Sequence, residues 1–122
     1  MVVGSGEKMS KFQDLTVWQK SMDLVDYVYA FADVFPQSER FGLWSQITRA
    51  AVSVPSNIAE GSGRASAKDC VHFLSIARGS LYELMTQLEI AERRGYGKVG
   101  EELKSLLNEV ARMLTSMLSR RA

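Results

Sequence analysis

An all-α fold, an up-down-up-down antiparallel four-helix bundle, is what this sequence predicts, and three observations carry it. Four stretches repeat apolar residues at alternating spacings of three and four, glycine or proline sits at the breaks between them, and no stretch reads as a strand. The first helix runs from Thr16, a candidate N-cap, to a stop before Pro36. It carries two neighbouring stripes: Trp18, Met22, Val25, Tyr29 and Ala32, and beside them Val17, Leu24, Val28, Phe31 and Phe35. The second helix begins near Ser38 or Phe41 and buries Trp44, Ile47, Ala51, Val54, Ile58 and Gly61, with Gly61, Ser62 and Gly63 as residues that tolerate a left-handed end. Ser66, with Asp69 three positions on, opens the third helix, whose seam is Cys70, Leu74, Ala77, Leu81, Leu84, Leu88 and Ala91. Gly95 and Gly97 make the last turn. Val99, Leu103, Leu106, Val110, Met113 and Met117 form the fourth seam, widened by Leu107, Leu114 and Leu118.

The most unusual segment is Gln46–Gly61, QITRAAVSVPSNIAEG, which places Pro55 inside a helix of small and apolar residues. Proline has no N–H to donate and its ring crowds the carbonyl four residues back, a loss on the order of 3 kcal/mol in a helix interior. Ser53, Ser56 and Asn57 offer hydrogen bonds to freed carbonyls, and the small residues allow another backbone to approach. The expectation is a bend at Pro55 packed against Gly79 and Ser80 of the third helix, with Gly79→Leu disrupting the fold through overpacking.

With 122 residues, 46% of them hydrophobic, the chain has the size of one domain: a disordered lead over 1–11 and a single bundle over 12–122. Lys and Arg total 15 against 14 Asp and Glu, a net charge of +1, so affinity for polyanions has to be local. The first helical region is acidic and the middle of the chain is basic. A single cysteine, Cys70, excludes an intramolecular disulfide, and no apolar run approaches the length of a membrane span, which predicts a cytoplasmic protein without membrane association. Because the first and fourth helices each carry two apolar stripes, the bundle has apolar surface to spare, and a cyclic homo-oligomer follows.

Nothing in the residue inventory builds a catalytic centre. The one histidine, His72, lies two positions from Cys70, about 200° round a helix, so the two cannot share a site in one protomer. No Glu-x-x-His pair of the di-iron type and no glycine loop after a strand is present, so no catalytic residue, metal or cofactor is expected. Glu60 and Arg64, four apart, read as a helix-end ion pair. Arg49, Arg64, Lys68 and Arg78 read as a modest basic patch that repetition around a ring would strengthen.

Three blocks, FQDLTVWQKSMDL (12–24), FPQSERFGLWSQITRAAVSVPSNIAEGSGR (35–64) and ARGSLYELMTQLEIAERRGY (77–96), resemble in order and spacing the family of four-helix-bundle proteins encoded in intervening sequences of bacterial large-subunit (23S) ribosomal RNA genes. NIAEG at 57–61 is the sharpest motif. The departures are Thr48, where the family often has a basic residue, and Cys70, where an aromatic is usual. The resemblance implies a ring, typically a homopentamer, and kinship to the accessory protein of diversity-generating retroelements, which partners a reverse transcriptase and binds nucleic acid.

The function these readings lead to is a non-enzymatic, homo-oligomeric adaptor binding RNA or DNA through Arg49, Arg64, Lys68 and Arg78, together with a protein partner such as a reverse transcriptase. Pro55, Asn57, Glu60, Gly61, Gly79 and Ser80 are its structural motif. The competing reading is a purely structural ring that binds another protein through the acidic first helix, with no nucleic acid.

Overall fold

The computed structural model describes residues 12–121, and the expected lead over 1–11 lies outside the described residues. Among the described residues there are four α-helices and no strand: α1 (Thr16–Ala32), α2 (Leu43–Ser62), α3 (Ala67–Arg93) and α4 (Glu101–Arg121), with single 3-10 turns at Phe12–Asp14 and Gln37–Glu39. Each helix packs against its successor, α4 returns to α1, and the backbones of the diagonal pairs α1–α3 and α2–α4 stay more than 8 Å apart between Cα atoms. That closed circuit of neighbours is a four-helix bundle around one core.

The α3 seam is buried as expected from Leu74 through Ala91, with Cys70 half-buried at its start. Its ends are capped by sequence-local chemistry. Ser66 Oγ accepts the Asp69 amide hydrogen at 3.1 Å. At the other end, Gly95 adopts a left-handed φ of 78°, and the amides of Gly95 and Tyr96 donate to the carbonyls of Glu92 and Ala91, each at 3.0 Å. This is the paired closure that a left-handed glycine makes possible.

Elsewhere the packing corrects the sequence reading. In α1 the core takes Val17, Ser21, Leu24, Val28 and Ala32, while Met22 and Tyr29 of the Trp18 stripe stay exposed and Trp18 and Val25 half-buried. Thr16 is not the cap: Leu15 holds that position without a side-chain bond. In the fourth seam Val99, Leu103 and Val110 are buried as expected, and the widening residues take the place of the other three. Leu103, Leu107, Val110, Leu114 and Leu118 face the core, and Leu106, Met113 and Met117 flank it.

The second helix also starts later than expected from Ser38 or Phe41. The chain first turns once at Gln37–Glu39, and the Glu39 carboxylate then accepts the amide hydrogen of Leu43 at 3.0 Å, opening α2 there. The far end of α2 lacks a left-handed residue, since Gly63 has φ −86°. Gly61 is instead small for packing. A Cβ built on it would lie 3.1 Å from Phe73 Cβ and 3.2 Å from the Cys70 carbonyl oxygen, so α2 and α3 approach each other closely here. Gly79 is the opposite case and corrects the expected contact with Pro55: it is exposed, and a Cβ there would meet nothing within 4 Å.

Candidate nucleic-acid interface

The proline segment is held by its neighbours' polar side chains. α2 continues across Pro55, whose ring is buried. Asn57 Nδ2 donates to the Ser53 carbonyl at 2.8 Å and to Ser53 Oγ at 3.0 Å, and Ser56 Oγ donates to the Val52 carbonyl at 2.8 Å. Ser53 Oγ and Ser80 Oγ then share a hydrogen bond of 2.7 Å across the α2–α3 seam. The motif residues Asn57 and Ser80 therefore act together, with Ser53 as the link between them. Thr48 is buried, its hydroxyl donating to the Trp44 carbonyl at 2.9 Å, so the position beside Arg49 belongs to the core.

The four basic candidates fall into different surroundings. Arg64 is bound on two sides, by an ion pair to Glu60 and by the Phe73 ring, whose centroid lies 4.7 Å from the guanidinium carbon. The ion pair read from the i, i+4 spacing is present. Arg49 and Lys68 are exposed and form no ion pair among the described residues. Among the described residues Arg78 donates only to a neutral group, Thr115 Oγ1 at 3.3 Å on α4.

These positions do not converge on one spot. Arg78 turns toward α4, whereas Ser80, two residues further, turns toward α2, where Arg49 sits. Arg49 and Arg64 are fifteen positions apart, roughly 20 Å along the α2 direction. The basic groups of one protomer are therefore spaced charges spread over α2, α3 and their connection.

A polar groove between α2 and α3 was not read from the sequence. Its volume is about 450 Å³, and Phe41, Arg49, Ser53, Ser80, Glu83 and Gln87 are among the residues that line it. Phe41 is 96% exposed. Gln87 is only 7% exposed and, among the described residues, its Oε1 has no hydrogen-bond partner and almost no accessible surface. The signal in the sequence was a glutamine interrupting the run between Leu84, Leu88 and Ala91.

On the other side of the bundle, Asp23, Asp26, Tyr27, Glu101 and Glu102 line an acidic groove of about 610 Å³ between α1 and α4. Near the N-terminus of α2, Glu39 ties two connections together: besides capping α2 it accepts the Tyr96 hydroxyl at 2.7 Å. The Leu43 amide first, then the Tyr96 hydroxyl, hold its carboxyl below the usual carboxylate range against the opposing effect of burial, with a lesser contribution from the positive charge of Arg94.

The fold and surface define a class: a small four-helix-bundle protein, with charged and aromatic side chains on its surface and, among the described residues, no cluster of groups able to hold a metal ion. No helix among the described residues is long and apolar enough to cross a membrane. The model of the family described as 23S rRNA-intervening sequence protein matches residues 13–116, and the chain belongs to that family. No curated protein matches the chain.

Proposed function

We propose that this protein is a non-enzymatic adaptor that assembles from antiparallel, up-down-up-down protomers into a cyclic homo-oligomer, a pentamer by family resemblance. In this reading it acts in the cytoplasm, binds RNA or DNA through basic side chains repeated around the ring, and takes a protein partner such as a reverse transcriptase. The observation that carries the nucleic-acid reading is that three of the four basic candidates, Arg49, Lys68 and Arg78, are not neutralised by any carboxylate within ion-pair distance among the described residues. Repetition turns three free charges per protomer into a polyvalent surface, and each phosphate contact adds to a salt-dependent affinity. Self-assembly is supported by exposed apolar side chains on several helices, among them Met22, Tyr29, Val52, Ile76 and Tyr82.

Fluorescence anisotropy of labelled single-stranded and duplex RNA and DNA, titrated at several salt concentrations, tests this. The expected result is binding whose log–log salt slope flattens by about 0.7 to 0.9 for each phosphate contact removed by Arg49→Glu or Arg78→Glu. Arg64→Glu is expected to matter less, because Arg64 is already paired. Absence of binding at low salt overturns the reading.

A second reading, a structural ring that binds a protein and no nucleic acid, is favoured by the acidic groove between α1 and α4. Its occupant would be a basic segment of a partner, charge reversal at Asp23 and Asp26 would abolish partner capture, and neither the native protein nor the variant would bind oligonucleotides at low salt.

A further inference from the structure

Between α3 and α4 runs a groove of about 610 Å³ lined by Tyr82, Arg112, Thr115, Ser116, Ser119 and Arg120, and among the described residues no carboxylate lines it. We propose that it is a track for a single-stranded segment of RNA or DNA, with arginines and hydroxyls on the phosphates and Tyr82 against one base; this rests on the nucleic-acid reading above and adds Arg112 and Arg120 to the basic residues it uses. Helical spacing makes the groove. Positions 112, 115, 116, 119 and 120 form one stripe on α4, and Arg78 and Tyr82, four apart, form another on α3. The hydrogen bond from Arg78 to Thr115 Oγ1 at 3.3 Å ties the two stripes together and brings a third guanidinium to the same groove.

The chemistry of the walls narrows the occupant. Arg112 and Arg120 are exposed, and none of Arg78, Arg112 and Arg120 has a carboxylate within ion-pair distance among the described residues. Arg120 donates to Ser116 Oγ at 2.7 Å, as Arg78 does to Thr115. Each of these hydroxyls accepts a guanidinium hydrogen and keeps its own O–H to donate to a phosphate oxygen. Arg112 and Arg120 are spaced about 12 Å along α4, so the charge is laid out along the groove rather than gathered at one point. Tyr82 is 48% exposed, and only an unpaired base offers a face to its ring, because a duplex hides base faces in its own stack. The other grooves that hold a basic residue also hold a carboxylate, Glu83 beside Arg49 and Glu60 beside Arg64. An acidic peptide would match the arginines and leave the tyrosine ring unused. The acidic α1–α4 groove of a second copy also matches the charge, but it lies about twelve positions earlier on α4, roughly 18 Å along the helix, and patches at different heights do not meet in a ring whose axis runs along the bundle.

The test uses the full chain with a short labelled oligodeoxythymidylate, an abasic strand of the same length, and a polyglutamate peptide of the same charge. The base-bearing strand is expected to bind roughly five- to a hundredfold more tightly than the abasic one, the range of one stacked base. Tyr82→Ala is expected to abolish that difference and Tyr82→Phe to keep it. Arg112→Gln and Arg120→Gln are each expected to weaken both strands alike and to flatten the salt slope by about 0.7. These positions are exposed, so the variants should fold. Equal binding of the two strands, a difference that survives Tyr82→Ala, a salt slope unmoved by either arginine variant, or polyglutamate bound as tightly as the base-bearing strand overturns the track, and the nucleic-acid reading stands if salt-dependent binding of the strand persists. No binding of either strand at low salt overturns both. A smaller oligomer on sizing Tyr82→Ala, Arg112→Gln or Arg120→Gln would make this face a subunit contact and would overturn the track.

Discussion

Adding one methyl group at Gly61 and at Gly79 is expected to move stability in opposite directions. At Gly61 the new Cβ would lie 3.1 Å from Phe73 Cβ and 3.2 Å from the Cys70 carbonyl oxygen, and neither atom belongs to the free end of a flexible side chain. α3 must therefore yield by a few tenths of an ångström where it crosses α2, and overpacking of this kind costs about 1–3 kcal/mol. Alanine returns about 0.5–1 kcal/mol by its better helix propensity, so Gly61→Ala should be destabilising by about 1 kcal/mol net. At Gly79 nothing lies within 4 Å of the new Cβ, only the propensity gain operates, and Gly79→Ala should stabilise by about 0.5–1 kcal/mol. For a chain of this size the two melting temperatures should differ by roughly 6–12 °C. Urea and thermal unfolding at one fixed protomer concentration would measure this, since assembly makes the midpoint concentration-dependent. Gly61→Ala as stable as the native protein, or Gly79→Ala less stable, would refute the packing argument.

Two further outcomes follow from local chemistry. Ser66→Ala removes the acceptor for the Asp69 amide and should cost about 1 kcal/mol, with hydrogen exchange accelerated first at the start of α3; an unchanged midpoint would show that water caps the helix equally well. Glu39 has a carboxyl lowered by the Leu43 amide, the Tyr96 hydroxyl and Arg94, so its folded value lies below its unfolded one, and its contribution to stability is complete above the unfolded carboxylate range and lost as pH falls through the folded value. Acid titration of stability should therefore show a component below about pH 4.5 that Glu39→Gln removes, and identical acid profiles for the two proteins would refute it.

The fold was largely legible because its signals are local. The α3 seam can be read from spacing alone: the heptad rhythm puts Leu74, Ala77, Leu81, Leu84, Leu88 and Ala91 on one side of a cylinder whatever that cylinder meets. The Ser66 cap and the Gly95 turn are similarly written within a few residues. Which of two adjacent stripes faces inward is another matter. On α4, Leu106, Met113 and Met117 lie only one position, about 100°, from Leu107, Leu114 and Leu118, and packing against α1 and α3 chose the second set. The glycines show the same limit, since Gly61 and Gly79 look alike in sequence and only the azimuth of each helix against its neighbour decides which is crowded.

The sequence by itself determined the number of helices, their approximate limits and the presence of basic residues in the middle of the chain, because periodicity, capping and composition are properties of short segments. The tertiary structure decided what those residues do. It paired Arg64 with Glu60 and Phe73, left Arg49 and Lys68 without a carboxylate among the described residues, turned Arg78 toward α4, and set Gln87 and Phe41 around one groove. Those outcomes depend on distances between helices far apart in the chain, and no spacing within a single helix specifies them.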